Sequence, residues 1–257
     1  MGAALGKLLH DPQALEELLR SGRVRRAPGP GSPDFADPRK RSPLPFGVPS
    51  LDAALGGGLA RGSLHEIVAP PSAGGTALLR AALAAATRAG ELCALIDPAD
   101  SFDPAATDID LRRLLWVRPA QAVQALRAVE IALEARFALV VLDLGELAAP
   151  KARARTGQIE LVTFQQRAPR AGASAWARLA RRAERHGGAV LVLTRSAQAG
   201  TFAAATVELE RGATRWEGGP GAPGRLLRGA MTVGAVARAK RFAPSGPLPL
   251  QLSLEQR

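Results

Sequence analysis

Residues 69–76, APPSAGGT, have the small-residue composition of a loop that cradles phosphate groups. Such loops follow the pattern Gly-x-x-x-x-Gly-Lys-Ser/Thr, in which the glycines let backbone N–H groups converge on the phosphates. The lysine neutralises the phosphate charge, and the hydroxyl holds Mg²⁺. Gly74 and Thr76 match the second glycine and the hydroxyl. With Ala69 in place of the first glycine, Gly75 in place of the lysine, and two prolines that lack N–H donors, the octet is a phosphate loop without its cation.

The segments around this octet alternate between short apolar runs and amphipathic stretches. Strands are predicted at residues 64–68, 92–97, 114–117, 137–143 and 189–194, and helices at residues 76–89, 120–136 and 174–186. Apolar strands that alternate with helices indicate an α/β fold, with a mostly parallel sheet covered on both faces. Beyond these elements, residues 206–210, 214–216 and 226–240 predict antiparallel strands that extend the sheet at its C-terminal end.

The chain before this core has a different character. A short helix is predicted within residues 1–20, and residues 21–45 form a basic, proline-rich arm without apolar periodicity. The core domain takes up residues 46–257, with no separate C-terminal domain expected. The helix carries a leucine stripe that is a candidate protein interface, on a neighbouring subunit or on the chain's own core: Leu15, Leu18 and Leu19.

Basic residues outnumber acidic residues by 34 to 23, which gives a net charge of +11. The excess is local, because residues 51–150 carry 8 basic and 12 acidic residues, whereas residues 151–200 carry 10 and 2. The part of the chain with the phosphate loop is therefore negative, and the segment after it is strongly positive. Clustered cations of this kind predict a surface for a polyanion, either DNA or an acidic protein.

The composition also excludes several classes of protein. No apolar run approaches the about 20 residues that cross a bilayer, so no membrane span is expected. The single cysteine, Cys93, rules out an internal disulfide, lies in an apolar run typical of a core strand, and fits a reducing cytoplasm. The three histidines have no ligand spacing and no cysteine partner, so no metal site is expected.

Beyond the octet, a series of motifs in a fixed order resembles the core of the recombinase RecA and its paralogues. The motifs are GVPSLDAALGGGLARG at residues 47–62, LHEIV at 64–68, CALID at 93–97, FDP at 102–104, LVVLD at 139–143 and AVLVLTR at 189–195. The resemblance covers residues 46–247. A RecA-like core with a degenerate phosphate loop and a small size looks most like the ImuA family, the RecA-like accessory proteins of the bacterial damage-induced mutagenic translesion machinery.

The resemblance implies a vestigial nucleotide site. Its members are Gly74 and Gly75 of the loop, Thr76 and Asp143 as the Mg²⁺-associated pair, and Asp103 as a contact on the adenine side. The water-activating glutamate of the family falls on Ala99, and its γ-phosphate-reading glutamine falls on Arg195. Because phosphoryl transfer depends on positioning and charge neutralisation, we expect no catalytic residue, no ATP hydrolysis and at most weak binding of ATP and Mg²⁺.

In the recombinase, the region after residue 143 carries a DNA-binding loop. The basic residues of that region here are Lys151, Arg153, Arg155, Arg167 and Arg170. The next predicted helix adds one stripe at helical spacing: Arg178, Arg181, Arg182 and Arg185. Both sets are candidates for binding DNA or an acidic partner. Residues 196–205 contain no cation, so single-stranded DNA binding is expected to be weak and non-specific.

As the resemblance implies, the leading hypothesis is a non-catalytic adaptor in SOS-type, damage-induced mutagenesis and DNA repair. Its partners would be the RecA recombinase, the polymerase-like protein ImuB and an error-prone replicative-type polymerase, and it would be cytoplasmic and join the nucleoid on damage. The alternative is a degenerate DNA-dependent ATPase that loads or remodels recombinase filaments. A third hypothesis, a purely structural RecA-like scaffold, predicts neither DNA binding nor a partner.

Overall fold

The computed structural model describes residues 42–106, 108–145, 151–155, 158–162, 172–217, 226–239 and 248–253. The predicted N-terminal helix and most of the basic arm lie outside these residues, and so does the candidate interface of Leu15, Leu18 and Leu19. Arg167 and Arg170 also lie outside them.

The described part of the chain contains ten strands and four α-helices. The strands are β1 Leu64–Val68, β2 Cys93–Ile96, β3 Leu114–Val117, β4 Leu139–Asp143, β5 Lys151–Arg155, β6 Gln158–Val162, β7 Ala189–Thr194, β8 Ala203–Glu217, β9 Leu226–Ala239 and β10 Leu248–Ser253. The helices are α1 Pro49–Ala54, α2 Gly75–Arg88, α3 Ala122–Glu134 and α4 Ala173–His186. The strands and helices predicted between residues 64 and 194 are all present, with bounds that differ from the prediction by at most two residues.

Eight strands form one sheet in the order β10-β9-β8-β1-β7-β4-β2-β3. The strands from β8 to β3 pair in parallel, whereas β9 is antiparallel to β8 and β10 is antiparallel to β9. The predicted mostly parallel α/β sheet with antiparallel strands at one end is therefore confirmed. One detail differs, because residues 206–210 belong to β8, and residues 206–208 of it also pair in parallel with β1. Side-chain alternation reports which face of a strand is buried and carries no information on its direction.

Helices cover both faces of the sheet, as continuously apolar strands require. Every residue of β2, β4 and β7 is buried. Alternate residues of one strand join different clusters, since Val141 packs in the cluster that contains Leu78 of α2 and Val140 packs in the cluster that contains Trp176 of α4. Cys93 is fully buried in β2, and burial raises the pKa of its thiol to about 12, so it is a core side chain, as predicted.

His65 of β1 makes stability depend on pH. It is almost fully buried, its Nε2 lies 3.2 Å from the carbonyl oxygen of Ala60, and burial lowers its pKa to about 4. In the unfolded chain the imidazole binds a proton near pH 6.5, whereas in the folded chain it binds one only near pH 4. The free energy of unfolding should therefore fall as the pH drops through that window, by about 3 kcal/mol from this group.

Urea unfolding between pH 7 and pH 4 measures this loss. The variant His65→Gln keeps a polar side chain without the titration, so its stability should fall less over the same range. Carboxylates that titrate in this window act equally on both proteins and cancel in the difference. An equal fall in the two proteins would contradict the assignment to His65.

Candidate functional site

The phosphate-loop octet connects β1 to α2. Because β1 lies inside the sheet and the octet follows its carboxyl end, it occupies the position where open α/β sheets bind ligands. The Ala69 N–H donates to the Thr194 carbonyl at 2.9 Å, and the Ala73 N–H donates to the Pro70 carbonyl at 3.1 Å. Gly74 precedes the helix with φ of 87°, a left-handed conformation that favours glycine. The local geometry is thus that of a strand, a tight loop and a helix N-terminus.

The position of the missing lysine is filled by apolar atoms. Gly75 is buried, and a Cβ atom placed on it would lie 2.7 Å from Cδ1 of Leu193 and 2.8 Å from Cβ of Ala69. Both distances are shorter than carbon–carbon contact allows. The Ala69 methyl is bonded directly to the backbone and cannot rotate away. The two departures from the consensus are therefore coupled, because the methyl group at the first glycine position takes the space that a side chain at residue 75 needs.

Two of the residues expected near Mg²⁺ and the γ-phosphate contact the protein backbone in this structure. Asp143 ends β4, is buried, and accepts a hydrogen bond from the Gly145 N–H at 2.8 Å. Arg195, at the position of the nucleotide-reading glutamine, donates its Nε–H to the Gly145 carbonyl. Thr76 is exposed in the first turn of α2. The carboxylate and the arginine both contact the chain that follows β4.

The loop after β2 is organised by Asp97, which lies two residues before the position of the family's water-activating glutamate. Asp97 is buried and accepts hydrogen bonds from the N–H groups of Ser101 and Phe102, at 2.8 and 2.9 Å. Ala99, at the position of the water-activating glutamate, is buried and offers only a methyl group. Asp103 is exposed and accepts the Ala105 N–H at 2.9 Å, which caps a short 3₁₀ helix. The predicted adenine-side residue therefore has a local structural role.

Taken together, these residues do not fit a magnesium nucleoside triphosphate as the consensus loop does. The loop has no lysine, the methyl groups of Ala69 and Leu193 fill the space beside its position, and a methyl group replaces the general base. One cation does approach the loop, since Nη2 of Arg211 on β8 lies 3.4 Å from the Pro71 carbonyl oxygen. This contact could not be predicted from the sequence, because the two residues are 140 positions apart and only the pairing of β8 with β1 brings them together.

The basic segment after β4 contains a hairpin that the sequence analysis did not predict. β5 and β6 form a separate antiparallel pair, with Arg153 opposite Glu160. Lys151, Arg153 and Arg155 occupy alternate positions of β5, at a repeat of about 7 Å along the strand. Three of the five basic residues predicted for this segment therefore belong to one strand.

The four arginines of the α4 stripe divide into two sets with different environments. Arg178 and Arg182 form ion pairs with Glu130 of α3, and Arg182 also pairs with Glu134 of α3. Burial alone would raise the pKa of Glu130, but hydrogen bonds from Arg178 and Arg127 outweigh it and lower that pKa. These two arginines therefore join α4 to α3.

The second set consists of Arg181 and Arg185. Both are exposed, and neither makes an ion pair within the described part of the chain. Helical spacing predicted the stripe, but only the packing of α4 on α3 shows which of its members are neutralised.

Glu66 is a structural residue beside the site, and the sequence assigned it no role. It lies in the middle of β1, is 1% exposed, and accepts hydrogen bonds from the Thr194 hydroxyl at 3.1 Å and the Gln198 N–H at 2.8 Å. The Ala199 N–H also donates to it at 3.3 Å. A buried carboxylate with three donors fixes the segment that follows β7. An acidic residue within an apolar run was the only signal that could have marked it.

Within the described residues, no cluster of three or more histidine, cysteine, aspartate and glutamate side chains is placed to hold a metal ion. No helix in the same residues has the length and apolar character needed to cross a membrane.

Comparison with known proteins gives a consistent result. Residues 39–187 match the RecA N-terminal domain family. The chain is 35% identical over 117 residues to Protein RecA of Picosynechococcus sp., which covers 44% of this chain and 34% of that protein. It is 35% identical over 148 residues to Protein RecA of Acidothermus cellulolyticus, which covers 54% of this chain and 42% of that protein. The match thus spans about a third to two-fifths of the length of these relatives.

Among solved structures, the RadB recombinase has a similar fold. The TM-score is 0.56 at 20% sequence identity, and the match covers 82% of this chain and 96% of the RadB chain. At this identity the likeness concerns the fold. It extends past the end of the family match at residue 187, so the shared architecture includes strands beyond α4.

Proposed function

Because the chain belongs to the RecA N-terminal domain family, we propose that it acts as a non-catalytic RecA-like adaptor in damage-induced mutagenesis and DNA repair. In this role it corresponds to the ImuA-type accessory proteins. It bridges or modulates the RecA recombinase, an ImuB-type polymerase-like protein and an error-prone replicative-type polymerase, in the cytoplasm and on damaged DNA. The observation that carries the proposal is the filled space beside Gly75.

That observation bears on both binding and catalysis. A lost charged contact to phosphate weakens nucleotide affinity by about 1.5–3 kcal/mol. Without the lysine and without a carboxylate at residue 99, little remains to neutralise or position the transferred phosphoryl group. A RecA-like surface that no nucleotide reshapes presents the same face to its partners at all times. This constancy suits an adaptor better than a motor.

DNA contact in this proposal belongs to the β5–β6 hairpin. Basic residues at every second position of an extended strand repeat at about 7 Å, a spacing that suits an extended phosphate backbone, and such contacts act mainly by releasing counterions. The chain after β7 has no basic residue between Arg195 and Arg211, so it contributes little to DNA binding. Binding to single-stranded DNA is therefore weak, non-specific and strongly salt-dependent.

Two measurements test the adaptor role. Single-turnover ATP hydrolysis, with single-stranded DNA present and an active RecA as a positive control, should give no rate above the enzyme-free background. Co-purification with RecA and with the ImuB-type protein should retain at least one of them in the absence of nucleotide. DNA-stimulated hydrolysis, or retention of neither partner, would contradict the proposal.

The second candidate function, a degenerate DNA-dependent ATPase that remodels recombinase filaments, is favoured by one observation. Arg211 lies at the loop and could supply the missing positive charge. In that case a fluorescent ATP analogue should bind, and Arg211→Ala should weaken it at least tenfold. Arg112→Ala is the matched control, because it removes an arginine whose side chain is 90% exposed and which pairs with Asp110, outside the loop.

A further inference from the structure

Three sides of α4 have three different environments. Trp176, Leu179 and Ala183 are buried against the sheet. Arg178 and Arg182 are bound to the acidic side chains of α3. The remaining side, which carries Arg181 and Arg185, is exposed and is here called the α4 outer face. Its two arginines make no ion pair with any described residue, so their charge is available to a partner.

The end of this face has a positive electrostatic environment. His186, the last residue of α4, has its pKa lowered first by burial and then by the positive charges of Arg136, Arg185 and Arg182. The histidine is therefore neutral near pH 7, and the surrounding arginines supply the charge. Arg182 is largely compensated by Glu134, whereas Arg185 lies on the outer face. An anion that approaches this end of the helix is attracted to the outer face.

We infer that the α4 outer face binds an acidic segment of a partner protein. Arg181 and Arg185 are one helical turn apart, with about 5–6 Å between their Cβ atoms. Carboxylates four residues apart on a partner helix have the same spacing. Each guanidinium can hold a carboxylate through two parallel hydrogen bonds, a geometry in which arginine exceeds lysine. The inference rests on the proposed adaptor function, because an adaptor needs a partner surface that is independent of nucleotide.

The same observations disfavour DNA as the occupant of this face. Non-specific DNA binding relies on many phosphate contacts, and the outer face offers two exposed cations beside the exposed Glu184. The internal pairs with Glu130 and Glu134 remove most of the remaining positive charge. By contrast, β5 has a basic residue at every second position. The basic half of the chain therefore contains two surfaces with different ligands.

The test uses the full chain and two labelled probes. One probe is a helical peptide with pairs of glutamates four residues apart, and the other is single-stranded oligothymidine. The double variant Arg181→Ala/Arg185→Ala should bind the peptide at least tenfold more weakly and bind oligothymidine unchanged. The triple variant Lys151→Ala/Arg153→Ala/Arg155→Ala should show the opposite pattern. Neither outer-face arginine is part of a described ion pair, so the melting temperature of the double variant should match that of the parent.

A charge-matched control distinguishes binding by the α4 outer face from a general effect of the protein's net charge. Arg88→Ala/Arg112→Ala also removes two exposed arginines, each of which pairs with an exposed or half-buried aspartate away from α4. If this control weakens peptide binding as much as the α4 double variant does, the inference fails. It also fails if the α4 variant loses oligothymidine and keeps the peptide. If the α4 variant still co-purifies with RecA or the ImuB-type protein, the adaptor function stands and the assignment of its surface to α4 is wrong.

Discussion

Replacing Gly75 with lysine restores the consensus residue of the phosphate loop, yet it is expected to lower stability and to create no ATPase activity. The obstacle is at Cβ, which every residue except glycine carries. Its contact with Cβ of Ala69, at 2.8 Å, forces the loop to shift, and its contact with Cδ1 of Leu193, at 2.7 Å, forces that buried side chain to move. Overpacking of this kind costs about 1–3 kcal/mol, and the longer lysine side chain adds to that cost.

The simplest form of this experiment is Gly75→Ala, because it adds only the offending atom. Its free energy of unfolding, from urea denaturation, should fall by about 1–3 kcal/mol. The double variant Ala69→Gly/Gly75→Ala tests the coupling directly, since it removes the methyl group that lies 2.8 Å away. The penalty of Gly75→Ala should then shrink by about 1 kcal/mol. Strictly additive effects of the two substitutions would show that the methyl group of Ala69 does not block residue 75.

The coupling also explains why a single substitution should not restore function. A lysine at residue 75 needs Ala69→Gly beside it and a smaller residue in place of Leu193. Even the triple variant has Ala99 where a carboxylate activates water and Arg195 where a glutamine contacts the γ-phosphate. We therefore expect the triple variant to gain measurable ATP affinity before it gains any hydrolysis. Hydrolysis by Gly75→Lys alone would overturn the non-catalytic assignment.

The sequence was informative where local pattern determines structure. Continuous apolar runs predicted β4 and β7 because a strand buried on both faces is apolar along nearly all of its length. The absence of the phosphate-loop lysine was visible in the octet, because consensus positions can be compared in the sequence alone. The octet did not predict that Leu193 and Ala69 occupy the vacated space, since that depends on the alignment of β7 beside β1.

The charge pattern was informative in the same restricted way. Helical periodicity placed four arginines on one stripe of α4, but it contained no information about α3, whose Glu130 and Glu134 neutralise two of them. The hairpin β5–β6 was missed because its alternating residues were interpreted only as a cluster of charge. In both cases the function of a cation depends on which element packs beside it.

The second large effect is expected at Glu66. Glu66→Ala should lower the free energy of unfolding by about 3–4 kcal/mol, because it leaves two backbone N–H groups without their acceptor and the Thr194 hydroxyl with only the Ile67 carbonyl, at 3.4 Å. Each such orphaned donor costs about 1–3 kcal/mol. Glu66→Gln retains one acceptor oxygen of similar size and position. Its loss should be clearly smaller than that of the alanine variant.

The structural consequence should be confined at first to the segment after β7. The amide hydrogens of Gln198 and Ala199 are held by Glu66, so their exchange with solvent deuterium should accelerate most in Glu66→Ala. Limited trypsin digestion gives an independent readout, because Arg195 is exposed and begins this segment.

Thr194→Val is the matched control for Glu66→Ala. It removes a single donor to Glu66 and leaves both backbone contacts intact, so cleavage at Arg195 should rise much less. Equal protection of the segment in Glu66→Ala and the parent would mean that something other than the buried carboxylate fixes it. Addition of ATP to the parent chain should leave the protection of this segment against exchange and cleavage unchanged. The carboxylate that holds the segment belongs to the core of the sheet and is present whether or not a nucleotide binds.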